Sequence, residues 1–142
     1  MNDELIRLSV DYLFQGIGLD NVSKEALEHT PDRVTKSWKE LLSGYEREKE
    51  LEQILTTFEC EGYEHIIVSK NTHFYSICEH HLLPFFGTCS VAYVPVAPRI
   101  VGASKIPRIV DIYARRLQLQ ERLTHEIALA IETYLKPKGV MV

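Results

Sequence analysis

The spacing of apolar positions makes the start of the chain helical. Leu5, Leu8 and Tyr12, with Ile6, Val10, Leu13, Phe14 and Ile17 a turn to either side, recur every three to four residues and end at Gly16-Ile17-Gly18. Ser23 is the cap of a short second helix. Thr30-Pro31-Asp32-Arg33 is a sharper start signal, because a threonine cap satisfies an orphan amide and a proline at the first helical position gives up no hydrogen bond. The helix predicted there turns Val34, Trp38, Leu41 and Leu42 inward and stops before Gly44. Residues 46–55 are charged with Leu51, Ile54 and Leu55 interspersed, and read as a short helix or a loop.

The period then changes. His65-Ile66-Ile67-Val68-Ser69 and His73-Phe74-Tyr75-Ser76-Ile77 are rich in β-branched and aromatic residues, with Lys70-Asn71 a turn or bulge between them. Thr88 to Val96 repeats that character and reads as a second strand. Helical spacing returns at Ile106, Ile109, Val110, Tyr113 and Leu117, with Ser104 as the cap. Leu119, Leu123, Ile127, Ala130, Ile131 and Tyr134 form the stripe of a longer helix that ends at Pro137 and Gly139. Residues 139–142 read as a strand just begun. The order is helices, two strands, two helices and a strand cut short.

Composition narrows the class. A chain of 142 residues, 45% hydrophobic and 25% charged, is an ordinary globular domain that needs no disulfide to stay folded. The charge-free run from His80 to Pro98 contains Pro84, Gly87, Pro95 and two histidines, which rules out a membrane span. Met1-Asn2-Asp3-Glu4 is acidic where a secretory signal is basic, so a cytoplasmic location is expected. A net charge of -4 argues against nucleic acid as a partner, and any phosphate ligand must meet cations gathered locally.

Three clusters carry candidate chemistry. In Cys78-Glu79-His80-His81 a thiolate and an imidazole three residues apart can converge on one zinc ion from a turn; the same residues also suit a buried cysteine beside loop histidines. Two ligands are half a site, and Cys60, Cys89, His65 and His73 have no persuasive spacing to complete it. Ser104, Lys105 and Arg108 put a hydroxyl and two cations at a helix start, which suits a phosphate group or an ordinary capped helix with solvated charges. Gln120 and Glu121 are neighbours about 100° apart on a helix; a carboxylate there can accept the N1–H and exocyclic amine of a guanine, with Gln120 at O6, or both can be plain surface residues.

Together these clusters resemble the GTP cyclohydrolase I family. The matching stretches are 73–85, 101–110 and 115–124, within a similarity that runs from about Thr30 to the last residue. The resemblance implies an α+β T-fold, with antiparallel strands and two helices on one face, occupying 58–142 after a helical region at 1–57. It implies a homodecameric ring with sites at subunit interfaces and GTP as substrate. By motif position Cys78 and His81 would hold Zn2+, and His80 would be the general acid/base at the guanine imidazole. Zinc-bound hydroxide would attack C8, releasing formate and leading to 7,8-dihydroneopterin triphosphate, the start of pterin and tetrahydrofolate synthesis. Ser104, Lys105 and Arg108 match the ribose and triphosphate end, Gln120 and Glu121 the guanine-reading positions, and Arg33 and Lys36 a basic pair reaching phosphates from a neighbouring subunit.

The family's third zinc ligand, a cysteine in a His-x-Cys segment followed by an arginine, and two closing strands lie beyond position 142. The chain is therefore expected to be either a fragment of an active enzyme or a shortened, catalytically inactive purine- or pterin-binding subunit. The apolar Val-Met-Val end favours the fragment, since a free strand edge invites aggregation. A protein ending at Val142 is expected to bind zinc weakly and release little formate.

Overall fold

A computed structural model describes residues 1–60, 62–96 and 99–142 and divides them into two compact units, Met1–Leu42 and Ser43–Val142. In the first unit, helix α1 (Asp3–Ile17) is capped by Asn2, whose side chain accepts the Leu5 amide at 3.1 Å. It ends at Gly18, which takes a φ of +101° that favours glycine and donates to the Phe14 carbonyl at 3.0 Å. A short 3-10 turn, Leu19–Asn21, leads into α2 (Lys24–Leu41). Ion pairs Asp3–Lys39 at 2.6 Å and Arg7–Asp32 at 3.1 Å set α1 and α2 antiparallel.

Helix α2 corrects the start expected at Thr30. Ser23 accepts the Ala26 amide at 3.2 Å and begins one continuous helix, with Pro31 buried inside it. Pro31 forgoes the bond a residue there would donate to the Leu27 carbonyl. The Thr35 hydroxyl instead donates to the Pro31 carbonyl at 2.8 Å, within the helix. Thr30-Pro31 looks like a start because it suits one; Ser23 satisfies the same need a turn or more earlier.

The second unit begins with consecutive helical turns: α3 (Gly44–Arg47), a 3-10 turn at Glu48–Glu50 and α4 (Leu51–Ile54). Gly44 is required by contact, since a Cβ there would lie 1.9 Å from the Ile112 carbonyl oxygen. Then follow β1 (Thr57–Glu59), β2 (Ile67–Cys78), β3 (Pro84–Val94), β4 (Arg99–Val101), α5 (Lys105–Ala114), β5 (Leu117–Gln118), α6 (Gln120–Leu135) and β6 (Gly139–Met141). One sheet has the order β5-β2-β3-β6, and β1 pairs with β4 in a separate antiparallel ribbon. The architecture is α+β, with β2, β3 and β6 antiparallel and β5 parallel to the end of β2.

Lys70-Asn71 is a bulge within one strand: the β2–β3 register shifts between Ser69 and Thr72, and Asn71 takes a φ of +56°. Strand β3 begins at Pro84, earlier than the Thr88 expected from composition. The core lies between this sheet and the two helices, with Val91 from β3, Ile109 and Ile112 from α5 and Ile127 and Ile131 from α6 fully buried. No helix among the described residues is long and apolar enough to cross a membrane.

Leu117 departs from the expected helical face. Helix α5 ends at Ala114, the Arg116 amide turns back to the Ala114 carbonyl at 2.8 Å, and Leu117-Gln118 pair with Ile77-Cys78. The buried Arg116 side chain fixes that bend: its guanidinium lies 4.5 Å from the Tyr113 ring centroid and 5.5 Å from that of Tyr45, and pairs with Glu48 at 3.2 Å. An arginine that buries itself between two tyrosines is invisible to a rule counting apolar spacing.

Candidate active site

The bend between β2 and β3 places the Cys-x-x-His pair. The Cys78 amide donates to the Leu83 carbonyl at 2.8 Å, and the Leu82 amide donates to the Cys78 carbonyl at 2.9 Å. Leu82 takes a φ of +55°, a left-handed conformation that costs a branched residue roughly 1 kcal/mol. The result is a turn tight enough to bring Cys78 Sγ to 3.5 Å from His81 Nδ1. That contact, followed by the His80 and His81 amides, holds the Cys78 thiol below its ordinary range, toward the thiolate that metals bind. The His80 ring is 63% exposed, edge-on to His81 at 6.2 Å between centroids.

A soft sulfur and an imidazole nitrogen on one turn fit zinc, and they are two of the three protein ligands a catalytic zinc uses. Among the described residues no group of three His, Cys, Asp or Glu side chains is poised to hold a metal. Cys89 is a buried core residue whose thiol burial pushes up, the opposite of Cys78.

The turn is fastened to the start of α6. Cys78 stands opposite Gln118 in the parallel pairing, the Glu79 amide donates to the Gln118 carbonyl at 3.2 Å, and Arg122 pairs with the Glu79 carboxylate. Gln120 and Glu121, exposed in the first turn of α6, therefore sit at the same end of the sheet as Cys78, His80 and His81.

Ser104, Lys105 and Arg108 form a separate group at the start of α5. Ser104 occupies the cap position without a side-chain cap bond, so its hydroxyl is not used by the helix as expected. Helix α5 is 10 residues, about 15 Å, long, so Ser104 stands that far from the bend leading into β5. Among the described residues no hydrogen bond or ion pair joins this group to the Cys78 turn. Arg33 and Lys36 are exposed on α2 in the first unit, where Arg33 is held by Glu25 at 2.5 Å.

Reasoning from sequence overlooked Glu79, Gln118 and Arg122. All three stand inside the matching stretches 73–85 and 115–124, yet the pairing of Glu79 with a guanidinium 43 positions away is set by β5, a two-residue strand without periodicity.

A family profile described as GTP cyclohydrolase I matches residues 6–142. The chain belongs to the GTP cyclohydrolase I family. Its similarity to proteins named GTP cyclohydrolase 1 is high: 44% identity to that of Wolinella succinogenes, covering 100% of this chain and 75% of the relative. The protein of Chlorobaculum tepidum is 48% identical over 92% of this chain and 57% of its own length. That of Methylococcus capsulatus is 49% identical over 92% and 69%. The chain thus spans between 57% and 75% of the length of these three family members.

Proposed function

We propose that the protein carrying this sequence hydrolyses GTP as a zinc-dependent cyclohydrolase, opening the guanine imidazole ring, releasing formate and yielding 7,8-dihydroneopterin triphosphate for pterin and tetrahydrofolate synthesis. One observation carries the reading. The Cys78–His81 pair, at 3.5 Å, is fastened through Glu79 to the helix start that bears Gln120 and Glu121, in a chain the family profile matches over 6–142.

Cys78 and His81 would hold the zinc, which when bound supplies a water acidic enough to give hydroxide near neutral pH. Glu121 accepts the N1–H and exocyclic amine of the base, and Gln120 donates to O6; together they fix the purine plane. His80, exposed beside the pair, gives a proton to N7, which makes C8 the electrophilic carbon. The same ring then takes protons from the opening intermediate. Ser104, Lys105 and Arg108 hold ribose and phosphates by charge and hydrogen bonds.

Because α5 separates those cations from β5 by about a helix length, we place them in the site of an adjoining subunit. That arrangement suits a T-fold ring, here a cytoplasmic homodecamer, with sites at its interfaces. Arg33 and Lys36 reach phosphates from a neighbouring subunit, with Arg33 exchanging Glu25 for the ligand.

The test is turnover. Zinc-loaded protein carrying this sequence, given GTP, is expected to release one formate per fluorescent pterin recovered after oxidation. Binding of GTP with no formate would instead describe an inactive purine-binding subunit and overturn the proposal.

A further inference from the structure

We propose that Arg122, oriented by the buried Gln118 amide, is a positioning residue that holds the Cys78–His81 turn and His80 against the start of α6. Gln118 is only 1% exposed, and its amide is fully engaged. Its Nε2 donates to the Tyr113 carbonyl at 2.9 Å and to Glu126 Oε2 at 2.6 Å, and its Oε1 accepts from Arg122 Nε at 3.2 Å. With Nε so held, the planar guanidinium has one direction left for its terminal nitrogens, and Arg122 Nη2 meets Glu79 Oε2. The other carboxylate oxygen, Glu79 Oε1, lies 3.9 Å from His80 Nε2.

This line of contacts starts in the core and ends beside His80. The turn needs such an anchor, because its internal bonds close around Leu82 in a left-handed conformation and leave Glu79 to be fixed from outside. Among the described residues, the hydrogen bonds that reach Glu79 from outside the turn come from the Gln118 carbonyl, which accepts its amide, and from Arg122. Removing a supporting group of this kind weakens metal binding. In so far as it concerns metal binding, the inference rests on the zinc-dependent reading above.

The experiment compares protein carrying this sequence with Arg122→Ala, Arg122→Lys, Glu79→Gln and Cys78→Ser. Two readouts are hydrogen exchange at the Glu79 amide and titration with Co2+ alone, followed by thiolate-to-cobalt absorption. Arg122→Ala is expected to speed exchange at Glu79 at least about tenfold, with exchange at Ile109 and Ile112 unchanged, and to weaken Co2+ binding roughly ten- to a hundredfold. Arg122→Lys keeps a charge opposite Glu79 and recovers part of both. Should Arg122→Ala fail to fold, Glu79→Gln carries the same readouts.

Unchanged exchange at Glu79 overturns the inference. So does faster exchange with unaltered Co2+ affinity, which would make the contact structural only. If wild type and Cys78→Ser give the same cobalt spectrum, the metal reading fails, and the exchange comparison alone decides whether Arg122 holds the turn.

Discussion

Two helix starts in this molecule carry polar clusters of similar length and opposite design. The start of α6 presents Gln120, Glu121 and Arg122 and is wired to the strand carrying Cys78 by a backbone pairing, a backbone hydrogen bond and the Arg122–Glu79 contact. The start of α5 presents Ser104, Lys105 and Arg108 without a side-chain cap, while its fixed contacts lie at the other end, where Asp111 binds Arg47 at 2.7 Å and Arg115 at 2.9 Å. Directional chemistry needs held atoms; a flexible polyanion needs charge within reach. The rigid cluster suits the base and the bond to be broken, and the loose one suits phosphates.

The largest effect should come from the rigid end. Cys78→Ser removes the thiolate and is expected to abolish formate release while the melting midpoint stays within the scatter of wild type; unchanged turnover would remove Cys78 from the site. Next, Glu121→Gln replaces a double acceptor by a group that can clash with N1–H. It should cost GTP roughly a hundredfold in kcat/KM and shrink the preference for GTP over inosine triphosphate, which lacks the exocyclic amine. An undiminished preference would show that Glu121 does not read the base.

At the loose end, Arg108→Ala is expected to raise KM for GTP about tenfold with kcat little changed, an effect that fades as salt rises because exposed charges are screened. A kcat loss instead of a KM loss would erase the contrast between the two helix starts. The smallest effect concerns the brace of α5. Burial pushes the Asp111 carboxyl up, but hydrogen bonds from Arg47 and Arg115 outweigh it and set it below its ordinary value of 3.8. A lowered carboxyl stabilises the fold above that value, and the contribution is lost as pH falls through the folded one. Asp111→Asn should therefore lower the melting midpoint at pH 7 by a few degrees and narrow the gap between pH 7 and pH 3. An unchanged gap would show that the brace is not what acid breaks.

Much of this was legible in the sequence where one residue type means one thing. Ile109, Ile127 and Ile131 are core because their spacing leaves no alternative, and Cys78 and His81 meet because three residues of turn leave little room to part. What escaped depends on distant partners. Leu117 leaves the helix because Arg116 finds two tyrosine rings and Glu48, and Pro31 stays inside α2 because Ser23 has already capped it. Arg122 reads as a surface arginine until β5 lays Gln118 beside Cys78. Short strands with no period of their own carried the information that joined the motifs.

The central claim is that the Cys78 turn and the start of α6 form one site that cuts C8 out of guanine. GTP labelled with carbon-13 at C8, followed by carbon NMR in the presence of the zinc-loaded protein, tests it atom by atom. The label is expected to leave the purine and appear as formate, and to remain in the purine with Cys78→Ser. Label that stays in the purine with wild type, or that reaches formate equally well with Cys78→Ser, would contradict the account.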